Sequence, residues 1–496
     1  MMTEQLPALQ IIVTMMAAPV CILVRNARAA WIIAAVANVF AAIVAWNLLW
    51  QVLDSGTIRY AIGGWAAPSG IEYYIDTLNA MVLVLVASIS AIVVFYARAS
   101  IDKTVETEKH YLFYAAWLLC VTGLLGIAIT GDAFNVFVFL EISSLATYML
   151  LAFGSDKRAL TASFRYLVLG SVGASFILIG IGFLYGATGT LNMQDLAQRI
   201  PESESKRAVL VAFSFLTIGL MIKAAVFPLH AWLVNAYHFA PIPVTAFLAG
   251  TATKVSLYVL LRFFFSIFGE NYSFGQLFLS GVLLPAAIAA FVLMSLVAVF
   301  QTDLRRMLAF SSVAQIGYIV AGISLASEAG LTAAIVHIVN HGVIKTALFM
   351  AVGCILFRVG HAHTPSLDQL FRQMPLTCFA FILSGLALVG VPLTAGFVTK
   401  FSLIGAFLER GWWPVAGLVL MSSLIAVLYI GRVAEVMIFR RSRESAPAPG
   451  GMREAPLSML VPLYLILAVE IWLGLSGGLT LEVSGAAARG LLEGLR

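Results

Sequence analysis

Charge is what this sequence has least of: Asp, Glu, Lys and Arg make up 11% of its 496 residues, against 61% apolar ones. A water-soluble enzyme of this length needs far more polar surface. Also missing is the alternation of apolar and polar residues, in segments of about ten, that a membrane β-barrel requires. Cysteine is scarce, and Cys21, Cys120, Cys354 and Cys378 lie in or beside apolar runs without C-x-x-C spacing, which reads as packing and not as metal or disulfide chemistry. There is no Walker A sequence, no haem-attachment or iron–sulfur cysteine set and no Ser/His/Asp constellation. The glycines between 170 and 189 have the wrong spacing for a dinucleotide fingerprint, and no strand precedes them. No cofactor and no resident metal is expected. The formal charge of +5 is spread singly or in pairs, so nucleic acid is not an expected partner.

What is present is a series of uncharged blocks of about twenty residues, the length that crosses a bilayer as a helix. The expected fold class is therefore all-α, a polytopic membrane protein of about fourteen helices. The spans are 5–24, 30–53, 76–98, 111–130, 133–153, 160–187, 207–238, 241–268, 276–300, 305–325, 329–358, 373–408, 412–439 and 456–479. Glu4 and the lack of a basic leader predict that the first span is retained. One low-complexity linker is expected at 440–456, and an exposed loop with a single amphipathic turn near Met193 at 188–207.

Most basic residues, from Arg25 and Arg28 through Arg305 and Arg306 to Arg440, Arg441 and Arg443, fall in alternate connections. The other side holds chiefly Arg59, Arg199, Lys206, Arg207 and Arg410. The positive-inside rule then puts both termini outside the cytoplasm of a cell inner membrane, as an even number of spans requires.

Two long spans contain a proline, Pro228 in KAAVFPLHAWL and Pro392 in VGVPLTAGFVTK, 164 residues apart. Proline removes a backbone donor and clashes with the preceding turn, so both helices are expected to break there. Nearly the same offset carries the helix starting near 111 to the one starting near 276. This predicts three N-terminal helices in 1–110, a five-helix repeat in 111–268, a second, inverted repeat in 276–440, and a linker with a C-terminal helix in 441–496. The alternative is two long helices kinked for packing.

The few charges inside the spans are the candidate functional residues: Glu141 in NVFVFLEISSLATYML, Lys223, His230, Lys254, His337, His341, Lys345 and Lys400. Each is costly in lipid, roughly 2.5–3.5 kcal/mol for an acid or lysine at a helix centre. A buried lysine whose carboxylate partner comes and goes can take up and release a proton, and histidine can link such sites. In HIVNHGVIK the spacing i, i+4, i+8 puts His337, His341 and Lys345 on one face with Asn340 beside it. H-x-x-x-H also suits zinc, but the glutamate of H-E-x-x-H and a third ligand are missing. His361 and His363 read as solvated loop residues. Arg262, Arg432 and Glu435 lie near helix ends, where snorkelling or an i, i+3 pair accounts for them. Glu470 lies deeper, with no partner evident.

Several blocks then carry a resemblance. KAAVFPLHAWLVNAYHFAPIPVTAFLAGTATK at 223–254, DLRRMLAFSSVAQIGYI at 303–319, HIVNHGVIKTALFMAVG at 337–353 and GVPLTAGFVTKF at 390–401 resemble, in order, the proton-translocating antiporter-like subunits of Mrp-type cation/proton antiporters, respiratory complex I and membrane-bound hydrogenases. Within that family, FLYGATGTLNM at 183–193 and the number of spans are most similar to the D-type subunit of Mrp antiporters. The chain departs at Val234, where proline is usual, and at Thr245, where serine is usual.

The resemblance implies a secondary transporter subunit and not an enzyme. It would work with other membrane subunits and move protons coupled to Na+ or K+; the alternative is the proton-pumping arm of a redox complex. It implies that Glu141 pairs with Lys223 on the first broken helix. Lys254 and the His337, His341 and Lys345 face then continue the path to Lys400 on the second, with His230, His238 and Asn340 in support.

Overall fold

The computed structural model describes residues 3–440 and 454–494. Its elements are α1 (Leu6–Val24), α2 (Ala27–Ser55), β1 (Ile58–Ala61), β2 (Glu72–Ile75), α3 (Thr77–Thr104), α4 (His110–Ile129), α5 (Ala133–Ala152) and α6 (Arg158–Thr188). Then come α7 (Met193–Glu202), α8 (Lys206–Lys223), α9 (Ala231–Phe239), α10 (Ile242–Gly250), α11 (Ala252–Leu261), α12 (Ser280–Val299), α13 (Leu304–Ser324) and α14 (Glu328–Val359). The chain continues through α15 (Leu370–Gln373), α16 (Pro375–Val389), α17 (Ala395–Glu409), α18 (Trp413–Ile438), α19 (Leu457–Leu475) and α20 (Gly477–Glu493).

The protein is an all-α polytopic membrane protein. Among the described residues, twelve helices are long and apolar enough to cross a membrane. Two further expected spans are each made of two shorter pieces, α8 with α9 and α16 with α17. Large apolar side chains such as Val36, Phe164, Val282 and Leu424 face outward, as a lipid-facing surface demands. Helix starts follow local chemistry: the Asp76 carboxylate accepts from the backbone of Leu78 and Asn79 at the head of α3, and Asp132 accepts from Asn135 N at the head of α5.

Both proline-marked breaks form, and they share a hydrogen-bond pattern. After α8, Ala225 takes φ 54°, Val226 N donates to Met221 O, and Leu229 N donates to Val226 O. After α16, Gly390 takes φ 92°, Val391 N donates to Leu386 O, and Thr394 N donates to Val391 O. A second motif also occurs twice. Ala133 N donates to Leu191 O and Met193 N to Gly131 O; likewise Leu304 N donates to Ala362 O and Thr364 N to Thr302 O. In each copy an aspartate, Asp132 or Asp303, caps the helix that follows.

Four features differ from the sequence expectations. The 241–268 span is interrupted at Thr251, whose hydroxyl donates to Phe247 O, and it ends in π-helical turns over Arg262–Ile267. Residues 193–202 form a whole helix, α7, because Asn192 caps it by accepting from Gln194 N and Asp195 N. A β1–β2 hairpin, with Ile58 opposite Ile75, closes the connection after α2, and Glu72 accepts from Asn192 Nδ2 at 2.6 Å. Beyond α19 lies α20, whose buried face of Gly477, Thr480, Ser484, Gly485, Ala487, Ala488 and Leu491 packs largely against α14. Its small residues hide it from a hydropathy reading. Of the expected linker at 440–456, residues 441–453, including Arg441 and Arg443, lie outside the described residues.

Candidate functional site: a row of buried charges

Glu141 lies mid-way along α5, and Lys223 is the last residue of α8. Their side chains meet: Lys223 Nζ is 3.7 Å from Glu141 Oε1, and it donates to Ser144 Oγ at 2.9 Å. Ser144 follows Glu141 by three residues, so one face of α5 supplies both partners. The lysine is 4% exposed and the glutamate 29%. At 3.7 Å this is an ion pair and not a hydrogen bond, and Glu141 Oε1 accepts no hydrogen bond in the structure. The amine also stands at the negative end of α8, where the helix dipole favours a cation.

The other lysines are held by backbone carbonyls. Lys254, just past the interruption at Thr251, turns back so that its amine donates to Ala249 O, with Thr253 Oγ1 at 3.3 Å. Lys400, past the second break, donates to Leu388 O at 3.1 Å and Val389 O at 2.7 Å, at the end of α16, with the Tyr318 ring 5.2 Å away. Lys345 donates to Leu308 O at 3.0 Å and to Ser311 Oγ on α13. A carbonyl released by a helix end bears part of the negative end of the dipole, so breaking a helix beside a lysine creates its partner.

α14 carries the middle of the row. His337 and His341 stack with ring centroids 5.6 Å apart, and none of their ring nitrogens has a hydrogen-bond partner. Lys400, Lys254 and Lys345 lie within electrostatic range of His337, and Lys254 and Lys345 within that of His341. Asn340 donates to Ala395 O at 2.8 Å and Thr399 Oγ1 at 3.0 Å, tying α14 to the start of α17. The approach of α10 to α14 rests on two glycines: a Cβ on Gly250 would collide with the Thr346 hydroxyl, and one on Gly342 would meet Gly250 O at 2.8 Å.

Not every sequence candidate joins this row. His238 lies at the end of α9, with Nδ1 3.3 Å from Asp303 Oδ1. Burial raises the proton affinity of Asp303, but the contact with His238 and the Arg305 charge outweigh it and hold the carboxyl below its ordinary range. His230 opens α9, half-buried and stacked on Phe227 at 5.3 Å. Pro228 and Pro392 occupy the breaks. Arg262 does not snorkel; it is 3% exposed and paired with Asp76. Arg432 donates to Val299 O at 3.2 Å.

The sequence reading missed the hydroxyls. Tyr148, Tyr166 and Tyr237 are all buried. Tyr148 and Tyr166 touch edge to face at 4.9 Å, Tyr166 is within range of Glu141 and Tyr237, and Tyr237 lies beside Thr253. Tyrosines in apolar spans carry no signal of their own; only their convergence does.

Comparison with known proteins agrees with this architecture. Residues 130–426 match the family described as NADH:quinone oxidoreductase/Mrp antiporter, TM. The chain is 40% identical over 427 residues to NADH-quinone oxidoreductase subunit N of Desulforudis audaxviator, with 84% of each chain covered. It is 30% identical over 425 residues to the D-type subunit of the Na(+)/H(+) antiporter of Alkalihalophilus pseudofirmus, again with 84% of each covered. A chain in the structure of the Mrp complex from Dietzia sp. DQ12-45-1b superposes with a TM-score of 0.90 at 27% identity, covering 99% of this chain and 98% of that one. With a matched region that takes in α5 through the first half of α18, and with relatives of this identity along most of its length, the chain belongs to the NADH:quinone oxidoreductase/Mrp antiporter membrane-subunit family.

Proposed function

We propose that this chain is the proton-conducting subunit of a multi-subunit Na+ or K+/proton antiporter, working beside other membrane subunits in a cell inner membrane. The observation that carries the reading is the Glu141–Lys223 pair, two charges 3.7 Å apart inside apolar helices. A proton arriving on Glu141 cancels the negative charge. The Lys223 ammonium is then left with Ser144 and the α8 terminus, and its own proton becomes the easier one to give up. Tyr148, Tyr166 and Tyr237 supply hydroxyls towards Lys254; His341, His337 and Lys345 follow, and Lys400 stands at the far break. Restoring the charge on Glu141 resets the pair.

Two features support an internal duplication with opposite orientation. The capped bracket recurs at an offset of 171 residues and the break geometry at 165. Between one copy of the bracket and the next the chain crosses an odd number of spans, so the two copies face opposite sides. The units are those of the sequence reading, 111–268 and 276–440, preceded by 1–110 and followed by 441–496. The asymmetry of basic residues supports both termini lying outside the cytoplasm.

A second reading is the proton-pumping arm of a redox complex, favoured by the 40% identity to a quinone oxidoreductase subunit N. The same row would then be driven from elsewhere in the assembly. The test of the first reading is cation/proton exchange in everted vesicles from cells carrying the chain with its companion subunits. Glu141→Gln and Lys223→Ala should each abolish exchange while the complex still assembles; wild-type rates in both would end the proposal. Identifying the companions by affinity purification separates the two readings.

A further inference from the structure

One buried acid takes no part in this row. Glu470 on α19 is 2% exposed, the least exposed carboxylate among the described residues, and it has no ion-pair partner among them. Its Oε2 accepts a hydrogen bond from Ser384 Oγ at 2.7 Å. Ser384 stands on α16 four residues before Leu388, whose carbonyl holds the Lys400 amine. Residues four apart share a helix face, about one 5.4 Å turn from each other. Glu470 and Lys400 therefore bracket the final turn of α16. The contact is close at the break as well: a Cβ on Gly474, one turn beyond Glu470, would meet Leu393 O at 2.5 Å, so α19 lies directly on the broken segment.

The internal duplication does not supply this acid. The 171-residue offset carries Glu141 onto Ser312, so the second half has no carboxyl where the first half has one. Bare carboxyls at this depth are expensive and are kept for function or for a specific partner. A hydroxyl partner alone is a weak structural reason, because a glutamine at 470 would accept the same hydrogen bond.

We propose, resting on the proton-conduction reading above, that Glu470 is the proton acceptor beyond Lys400 and the last protein group on the path. The N–H bond of the Lys400 ammonium breaks and an O–H bond forms on the Glu470 carboxylate, with water at the break and the Ser384 hydroxyl passing the proton between them. The charged amine and the carboxylate become a neutral amine and a neutral acid. From Glu470 the end of α19 is five residues away, about 7–8 Å along the helix.

The experiment compares Glu470→Gln, Glu470→Asp and Glu141→Gln in the full assembly, scoring assembly, vesicle exchange and the infrared carboxyl bands that change on a pH jump. Glu470→Gln should assemble normally, lose roughly tenfold or more of the exchange rate and lack one carboxyl band seen in the wild type. Glu470→Asp should recover part of both. Wild-type exchange in Glu470→Gln, an unchanged band pattern, or failure of that variant to assemble would each overturn the proposal. If Glu141→Gln also exchanges at the wild-type rate, the conduction reading itself falls; if only Glu470→Gln does, the role of Glu470 alone is lost.

Discussion

A single lysine in an apolar helix costs roughly 2.5–3.5 kcal/mol, and a hydrogen bond to a charged group returns about 1.5–3 kcal/mol. Lys400, with two carbonyls within 3.1 Å, recovers its cost without any carboxylate. Lys223 has one hydroxyl and an ion pair at 3.7 Å, so it depends on Glu141. The magnitudes thus separate a switchable lysine from a held one. Lys400→Gln should retain a donor for one carbonyl and leave the other unpaired, at about 1–3 kcal/mol. It carries no transferable charge, so exchange should fall at least roughly tenfold while the complex still purifies intact. Vesicles retaining half of the wild-type rate would remove Lys400 from the path.

At the scale of elements, broken helices create the site. α10 and α16 each end under a lysine whose amine takes their last carbonyls, and α8 ends on Lys223 itself. Two of these breaks were legible, because Pro228 and Pro392 cannot continue a helix. The third, at Thr251, was not: it depends on the close crossing of α10 and α14 at Gly250 and Gly342, and glycine in a membrane helix signals only that a neighbour can come near. Gly250→Val should push α10 away from the Thr346 hydroxyl and cost about 1–3 kcal/mol. That would be read as a lower thermal unfolding midpoint of the purified assembly; an unchanged midpoint would show the crossing to be loose.

For the whole molecule, orientation is the property that a charge count addresses most directly. The native cysteines are buried and free, so they contribute little background to labelling. Glu202→Cys, exposed at the end of α7, should react with an impermeant maleimide on intact cells, and Lys157→Cys, exposed before α6, only in everted vesicles. The reverse pattern would invert the topology. By itself the sequence determined the class, most spans, two breaks and the identity of the buried charges, because lipid forbids unpaired polar groups and makes every exception conspicuous. Only the tertiary structure decided which exceptions meet. It took His238 away to Asp303, laid α20 along α14, and set Glu470 against Ser384 on α16. The reason is that hydropathy fixes what a helix tolerates along its length, whereas the face it turns to a neighbour depends on close contacts such as those of Gly250, Gly342 and Gly474, formed between segments far apart in the chain.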